Sequence, residues 1–258
     1  LVRDFYSVGQ MDHAMLCVPM GADSLWIECT NPRYPLGYRH DAVAGHQVVL
    51  VKEDGGELVR VRPYPDSLGI HAETVDVTLN PDGTASCRGM RRLTLDNTEA
   101  YIDFRTLDSK AQFRAVMSGT SMNPSDFSIT SVEDNFNDWV DMEQGEEYVP
   151  EVNIGYTYVV SDYGKVSGNR IFMDLNPFAK NLVTSRSARV NDFVIRSGGM
   201  LADTVRVNIP EGYVPEAMPA SVRLESRFGI FVSDVTYDEA LSRIVVSQTI
   251  RLNAGRYS

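Results

Sequence analysis

Four residues, Asn80-Pro81-Asp82-Gly83, constrain the fold of this chain more than any others. Proline sets φ at a turn corner, aspartate bonds the backbone two residues on, and glycine accepts positive φ. The flanking residues of 72–96, AETVDVTL and TASCRGMRRLTLD, alternate apolar and polar. Alternation sends successive side chains to opposite faces, so the segment predicts a hairpin with one buried face.

The same rhythm recurs along the chain. Residues 48–63 (VVLVKEDGGELVRVRP) read as a hairpin around Asp54-Gly55-Gly56. Residues 155–175 read as a second pair with a looser loop, and residues 228–252 as a pair of long strands. DTVRVNIPEGY (203–213) reads as a strand ending at Pro210. One stretch departs: Tyr101, Phe104, Leu107, Ala111, Phe113 and Met117 fall mostly three or four residues apart, with six from Leu107 to Phe113, closer to one helical face. It predicts a helix over about 108–118, capped by Asp108 or Ser109 and ended by Gly119. The expected fold class is mainly β, with antiparallel β-sandwich-like domains and one short helix. Breaks are expected at RPYPDS (62–67) and SGGM (197–200), giving units 1–65, 66–200 and 201–258. The long irregular stretch 31–47, NPRYPLGYRHDAVAGHQ, reads as a functional or packed Ω-loop.

Composition narrows the function classes. The 258 residues carry a formal net charge of −11. Nucleic-acid binding needs clustered Lys and Arg, and Arg91-Arg92 alone is too little, so no nucleic-acid partner is expected. No apolar run of about 18 residues is present, so no membrane span is expected. The chain opens at Leu1 without an initiator methionine and reads as a piece of something longer.

Candidate chemistry centres on residues 11–37, MDHAMLCVPMGADSLWIECTNPRYPLG. A tight turn at Met20-Gly21 would set His13 directly opposite Glu28, with an index sum of 41. A four-residue loop would place the two diagonally, still on one face. A carboxylate that holds an imidazole in one tautomer is what a cysteine or serine nucleophile needs from its base. Cys17 lies four residues from His13 on the same strand, roughly 13 Å away at strand rise. Cys29 faces away from Glu28 and Cys87 sits in an alternating strand, so all three read as inert, buried or half-buried thiols. His40 and His46 lie in the long loop and reach toward the same rim. Loop histidines are far commoner than ligands, and no metal or cofactor is expected. The acidic residues of 133–151 lack calcium-loop spacing and read as a solvated loop. Trp139, Tyr148, Tyr156, Tyr158 and Tyr163 read as core and cross-strand pairs, with a sugar-stacking platform as the alternative.

These residues carry a family resemblance. HAM followed by WIECTNP resembles the histidine and acid strands of transglutaminase-like, papain-like cysteine proteins of bacteria. Trp26, Glu28, Thr30 and Pro32 fall on the aromatic-x-acid-x-Thr pattern, with Glu28 where that family usually has Asp. PLGYRHDAVAGHQVVLV resembles the segment closing the catalytic domain, and IPEGYVPEAMP the β-rich region that follows it. The resemblance implies that residues 1–65 are the trailing part of such a domain. His13 would be the base and Glu28 its orienting acid, with the nucleophilic cysteine ahead of Leu1. This chain alone would then be inactive. Expected partners are the missing N-terminal part of the same polypeptide and an unknown protein, peptide or glycan. The resemblance also implies a periplasmic or envelope location. The alternative is a binding or structural β-module with no enzymatic activity.

Overall fold

A computed structural model describes residues 8–11, 13–21, 23–118, 120, 122–138, 147–178 and 191–258. The protein is mainly β. Two hairpins come first: β1 (Met15–Met20) with β2 (Asp23–Glu28), then β3 (Gln47–Lys52) with β4 (Gly55–Arg60). The β3–β4 turn is Glu53-Asp54, beginning one residue before the expected Asp54-Gly55-Gly56, because Lys52 pairs with Gly55. Next come β5 (Ile70–Leu79) and β6 (Ala85–Thr94), joined at Asn80–Gly83 as the turn chemistry predicts. Gly83 has φ +86, and a Cβ there would run into the Gly164 carbonyl.

Helix α1 (Ser109–Met117) follows, with the Asp108 side chain accepting the Ala111 amide at 2.8 Å as its N-cap. Its expected stop, Gly119, lies outside the described residues. The chain continues through β7 (Pro124–Asp134), β8 (Glu151–Val160), β9 (Gly164–Ser167) and β10 (Arg170–Met173). Residues 155–175 are therefore three strands rather than one hairpin. β8 pairs with β6 and β7, while β9 and β10 pair with each other. The remaining strands are β11 (Phe193–Ile195), β12 (Gly199–Asn208), β13 (Val222–Ser226), β14 (Gly229–Asp238), β15 (Arg243–Leu252) and β16 (Gly255–Tyr257).

Eight strands form one sheet in the order β13-β14-β15-β12-β5-β6-β8-β7. Its neighbours are antiparallel except at the centre, where β12 runs parallel to β5. The boundary expected near residue 200 falls inside β12, which is bonded on both sides, so the sheet is continuous across it.

Alternation places one row after another on the covered face. Val75, Val77 and Leu79 of β5 sit beside Ala85 and Cys87 of β6 and Tyr156, Tyr158 and Val160 of β8. Val205 and Val207 of β12 and Ile244 and Val246 of β15 extend the layer, and Val116 and Met117 of α1 join the same core. Gly89 belongs to this face because a Cβ there would overlap the Tyr156 ring, its cross-strand neighbour. Tyr148, Tyr156, Tyr158 and Tyr163 are all buried, which removes them as a sugar platform. Trp139 lies outside the described residues.

One polar pair is buried within this core. Arg91 and Glu73 are cross-strand neighbours, each with 3% of its side chain exposed. Arg91 Nε donates to Glu73 Oε2 at 2.7 Å. Its Nη1 donates to the Tyr101 hydroxyl at 2.8 Å and the Ala115 carbonyl at 3.2 Å, and Nη2 donates to Val116 O at 2.7 Å. The guanidinium thus satisfies carbonyls of the last turn of α1 and ties the helix to the sheet. The Tyr156 hydroxyl donates to the other Glu73 oxygen. Burial pushes the Glu73 carboxyl up against the pull of Arg91 and Tyr156.

A second, smaller core of Tyr38, Leu95 and Tyr148 docks the N-terminal segment on the sheet. Tyr34 and Tyr38 hydroxyls donate to Glu99 at 3.0 and 2.7 Å, and Arg39 and Arg62 both bond Glu147. The stretch 31–47 is therefore a packed loop, with Tyr38 and Val43 buried.

Candidate functional site

The first hairpin brings the sequence-predicted pair together. Its register pairs Met15 with Glu28 and Met20 with Asp23, so the turn lies one residue later than the expected Met20-Gly21. The index sum is 43 rather than 41, which puts Glu28 diagonal to His13 and on the same face. Gly21 takes φ +59 at this turn. His13 Nε2 lies 2.6 Å from Glu28 Oε2. The Glu28 side chain is 2% exposed and His13 29%.

Glu28 is clamped from the other side. Oε1 accepts the Thr30 amide at 2.6 Å and the Thr30 hydroxyl. Burial works against the charged carboxylate, but the two Thr30 bonds and His13 outweigh it and hold the carboxyl down at about 2. Glu28 is therefore ionised at neutral pH, with one oxygen fixed by Thr30 and the other turned toward imidazole.

His40 joins this pair, and sequence reasoning placed it only near the rim. Its Nε2 is 2.9 Å from the same Glu28 Oε2, with 8% of the side chain exposed. That approach is not aligned as a hydrogen bond, and the buried His40 Nε2 has no hydrogen-bond partner. The His40 ring stacks on Tyr34 at 5.4 Å and meets the His13 ring edge-on at 5.3 Å. Burial and Glu99 push the Tyr34 hydroxyl up to about 12, so it stays protonated and donates to Glu99. The His40 carbonyl accepts the Val43 and Ala44 amides at 3.0 and 2.9 Å, which turns the loop tightly and sets the ring inward. No periodic pattern marks His40; the signal available was the length and Pro/Gly content of its loop.

His46 is held elsewhere, with Nδ1 at 3.2 Å from Ala44 O. None of the three thiols has the surroundings of a nucleophile beside His13. Cys17 lines a cavity of about 160 Å³ with Trp26, Arg39 and Arg62. Cys29 is exposed rather than half-buried, because the strand ends at Glu28 and no layer covers that side; its thiol donates to Ile27 O at 3.5 Å. Cys87 is buried, and burial raises its thiol to about 11 despite Tyr158. The acidic stretch 133–151 is described only at its ends, where Asp134 bonds Arg105 and Glu151 bonds Arg92. No described helix is long and apolar enough to cross a membrane.

Residues 169–258 match a family described as a domain of unknown function with solved structure, DUF3858. The match begins just before β10 and takes in β12 to β15, half of the eight-stranded sheet. No curated protein matches the chain.

Proposed function

We propose that this chain carries the base and orienting acid of a transglutaminase-like cysteine centre that processes amides, and that it performs no chemistry by itself. The observation behind this reading is the 2.6 Å contact of His13 Nε2 with Glu28 Oε2 across one face of a hairpin. In such a centre a thiolate attacks an amide carbonyl carbon. The imidazole takes the thiol proton and later gives it to the leaving amine, while the carboxylate steadies the imidazolium. His13 has the position for the first task. Glu28, ionised and fixed by Thr30, has the charge for the second. Glutamate is longer than the aspartate of the resembling family, and the Thr30 clamp restricts that extra reach. The substrate class is a protein or peptide amide, and a periplasmic or envelope location accompanies the resemblance.

The test uses the polypeptide of the full reading frame. A cysteine ahead of Leu1, alkylated by iodoacetamide at a rate that falls about tenfold or more in His13→Ala, supports the reading. Absence of such a cysteine, or a rate indifferent to His13, refutes it. That outcome would leave a non-enzymatic β-module for protein, peptide or glycan. Amide turnover by the present chain that survives His13→Ala would also refute the assignment.

A further inference from the structure

We propose that His13 Nε2, His40 Nε2 and Glu28 Oε2 form a binding site for one divalent transition-metal cation of the zinc type. The three donor atoms lie within 4.8 Å of one another. Both imidazole nitrogens converge on one carboxylate oxygen, at 2.6 and 2.9 Å. The convergence leaves something unexplained. His40 Nε2 is buried, pointed at Glu28, and has no hydrogen-bond partner. An orphaned polar atom of this kind has lost its water without gaining a partner, which is unfavourable. A cation among the three atoms removes that cost, because it accepts the nitrogen lone pair instead of asking the carboxylate oxygen for a second hydrogen bond.

The donor set selects the ion. Two imidazoles and one carboxylate suit zinc, cobalt or nickel, whereas calcium and magnesium prefer all-oxygen shells. Tetrahedral zinc, with bonds of about 2.0–2.1 Å, sets its ligand atoms about 3.3 Å apart. Each imidazole nitrogen therefore needs to open from Glu28 Oε2 by less than about 1 Å. His13, the most exposed of the three, is free to make that movement. The others are already held: Glu28 Oε1 by Thr30, and His40 by the Tyr34 ring and its own turn. Outer-shell support of this sort fixes ligand orientation. Three protein ligands leave a fourth position for water on the solvent side, by His13.

A competing set, His40 with Asp41 and Glu99, also clusters within 4.8 Å. Glu99 is engaged by the hydroxyls of Tyr34 and Tyr38, so it serves as support for the aromatic wall behind His40. The site stands apart from the amide-processing reading and needs no nucleophile. Where both hold, bound metal takes the Nε2 that the amide-processing reading needs protonated toward Glu28, so the two uses exclude each other.

The test is a titration of the tag-free, EDTA-stripped chain with zinc by calorimetry and with cobalt by visible absorption. One saturable equivalent is expected, with cobalt bands of a four-coordinate nitrogen/oxygen site. His40→Asn and His13→Ala should each weaken binding by about tenfold or more, while His46→Ala and His71→Ala leave it within about threefold. Because His40 packs on Tyr34, wild-type imidazole nitrogen shifts on zinc addition give a second readout that needs no variant. Shifts at His13 and His40 Nε2 are expected. Absence of saturable binding, or binding that survives loss of His13 and His40, overturns the proposal. So do shifts confined to His46 or His71.

Discussion

Replacing Arg91 with methionine should destabilise the protein by about 3–5 kcal/mol, through one buried charge rather than through lost volume. The guanidinium makes four hydrogen bonds, to Glu73, Tyr101, Ala115 and Val116. Methionine fills most of the space but leaves the Glu73 carboxylate buried with only the Tyr156 hydroxyl, and beside Asp203 across the parallel strand pair. Glu73 can escape by taking a proton. From a reference of 4.5, that costs about 3.4 kcal/mol at pH 7 and caps the electrostatic part. The two helix carbonyls add about 1 kcal/mol each unless water reaches them. The cap makes the effect pH-dependent with a definite sign. Without the pull of Arg91 the folded-state carboxyl of Arg91→Met lies higher still than in the wild type, so the loss should be smallest near pH 5 and grow toward pH 8. Urea unfolding followed by circular dichroism at both pH values measures it, and a double variant with Glu73→Leu should recover at least half of the loss. A loss below about 1 kcal/mol at pH 8, or a double variant as unstable as the sum of the singles, would refute the reasoning.

Three further outcomes are expected. Gly89→Ala should cost about 1–3 kcal/mol in thermal or urea unfolding, because the new methyl meets the buried Tyr156 ring, whose hydroxyl is tied to Glu73. Asp108→Ala should cost about 1 kcal/mol by removing the side-chain cap of α1, while Asp108→Asn should be nearly neutral in the same assay. Glu28, held at about 2 against an ordinary 4.5, contributes stability that is fully present above pH 4.5 and drains as pH falls toward 2. Acid unfolding of Glu28→Gln should show a shallower slope across that window, and an unchanged slope would count against the Thr30 and His13 contacts.

What the sequence made legible was local. Asn80–Gly83 fixes its hairpin through side chains that act within four residues, and α1 begins at a cap visible in the spacing of Asp108 and its apolar neighbours. Partner choice was not legible, since alternation reports that a strand has two faces and nothing about its neighbours. β8 therefore read as half of a hairpin with the strands after it, though its partners are β6 and β7. The parallel pairing of β5 with β12 left no local trace either. Arg91 was legible in principle: it continues the inward series Cys87, Gly89 and Leu93, and a cation at an inward position announces a buried counter-charge. Read beside Arg92 as a basic doublet, it says only that the pair is too little for a nucleic-acid partner. His13 and Glu28 could be placed on one face because a hairpin of six-residue strands leaves few registers. His40 could not, because its position depends on a loop whose Tyr34 and Tyr38 are held by Glu99, 65 and 61 residues further along the chain.

The central parallel junction has a consequence for biosynthesis. A ribosome delivers β5, β6, β7 and β8 well before β12 emerges, and β5 then presents a bare row of amides and carbonyls to the cell. Closure of a contact between residues about 130 apart is slow compared with the making of local hairpins. The half-finished sheet therefore waits, one edge open, for a strand still inside the exit tunnel. Its yield in a cell depends on how well that edge is shielded during the wait.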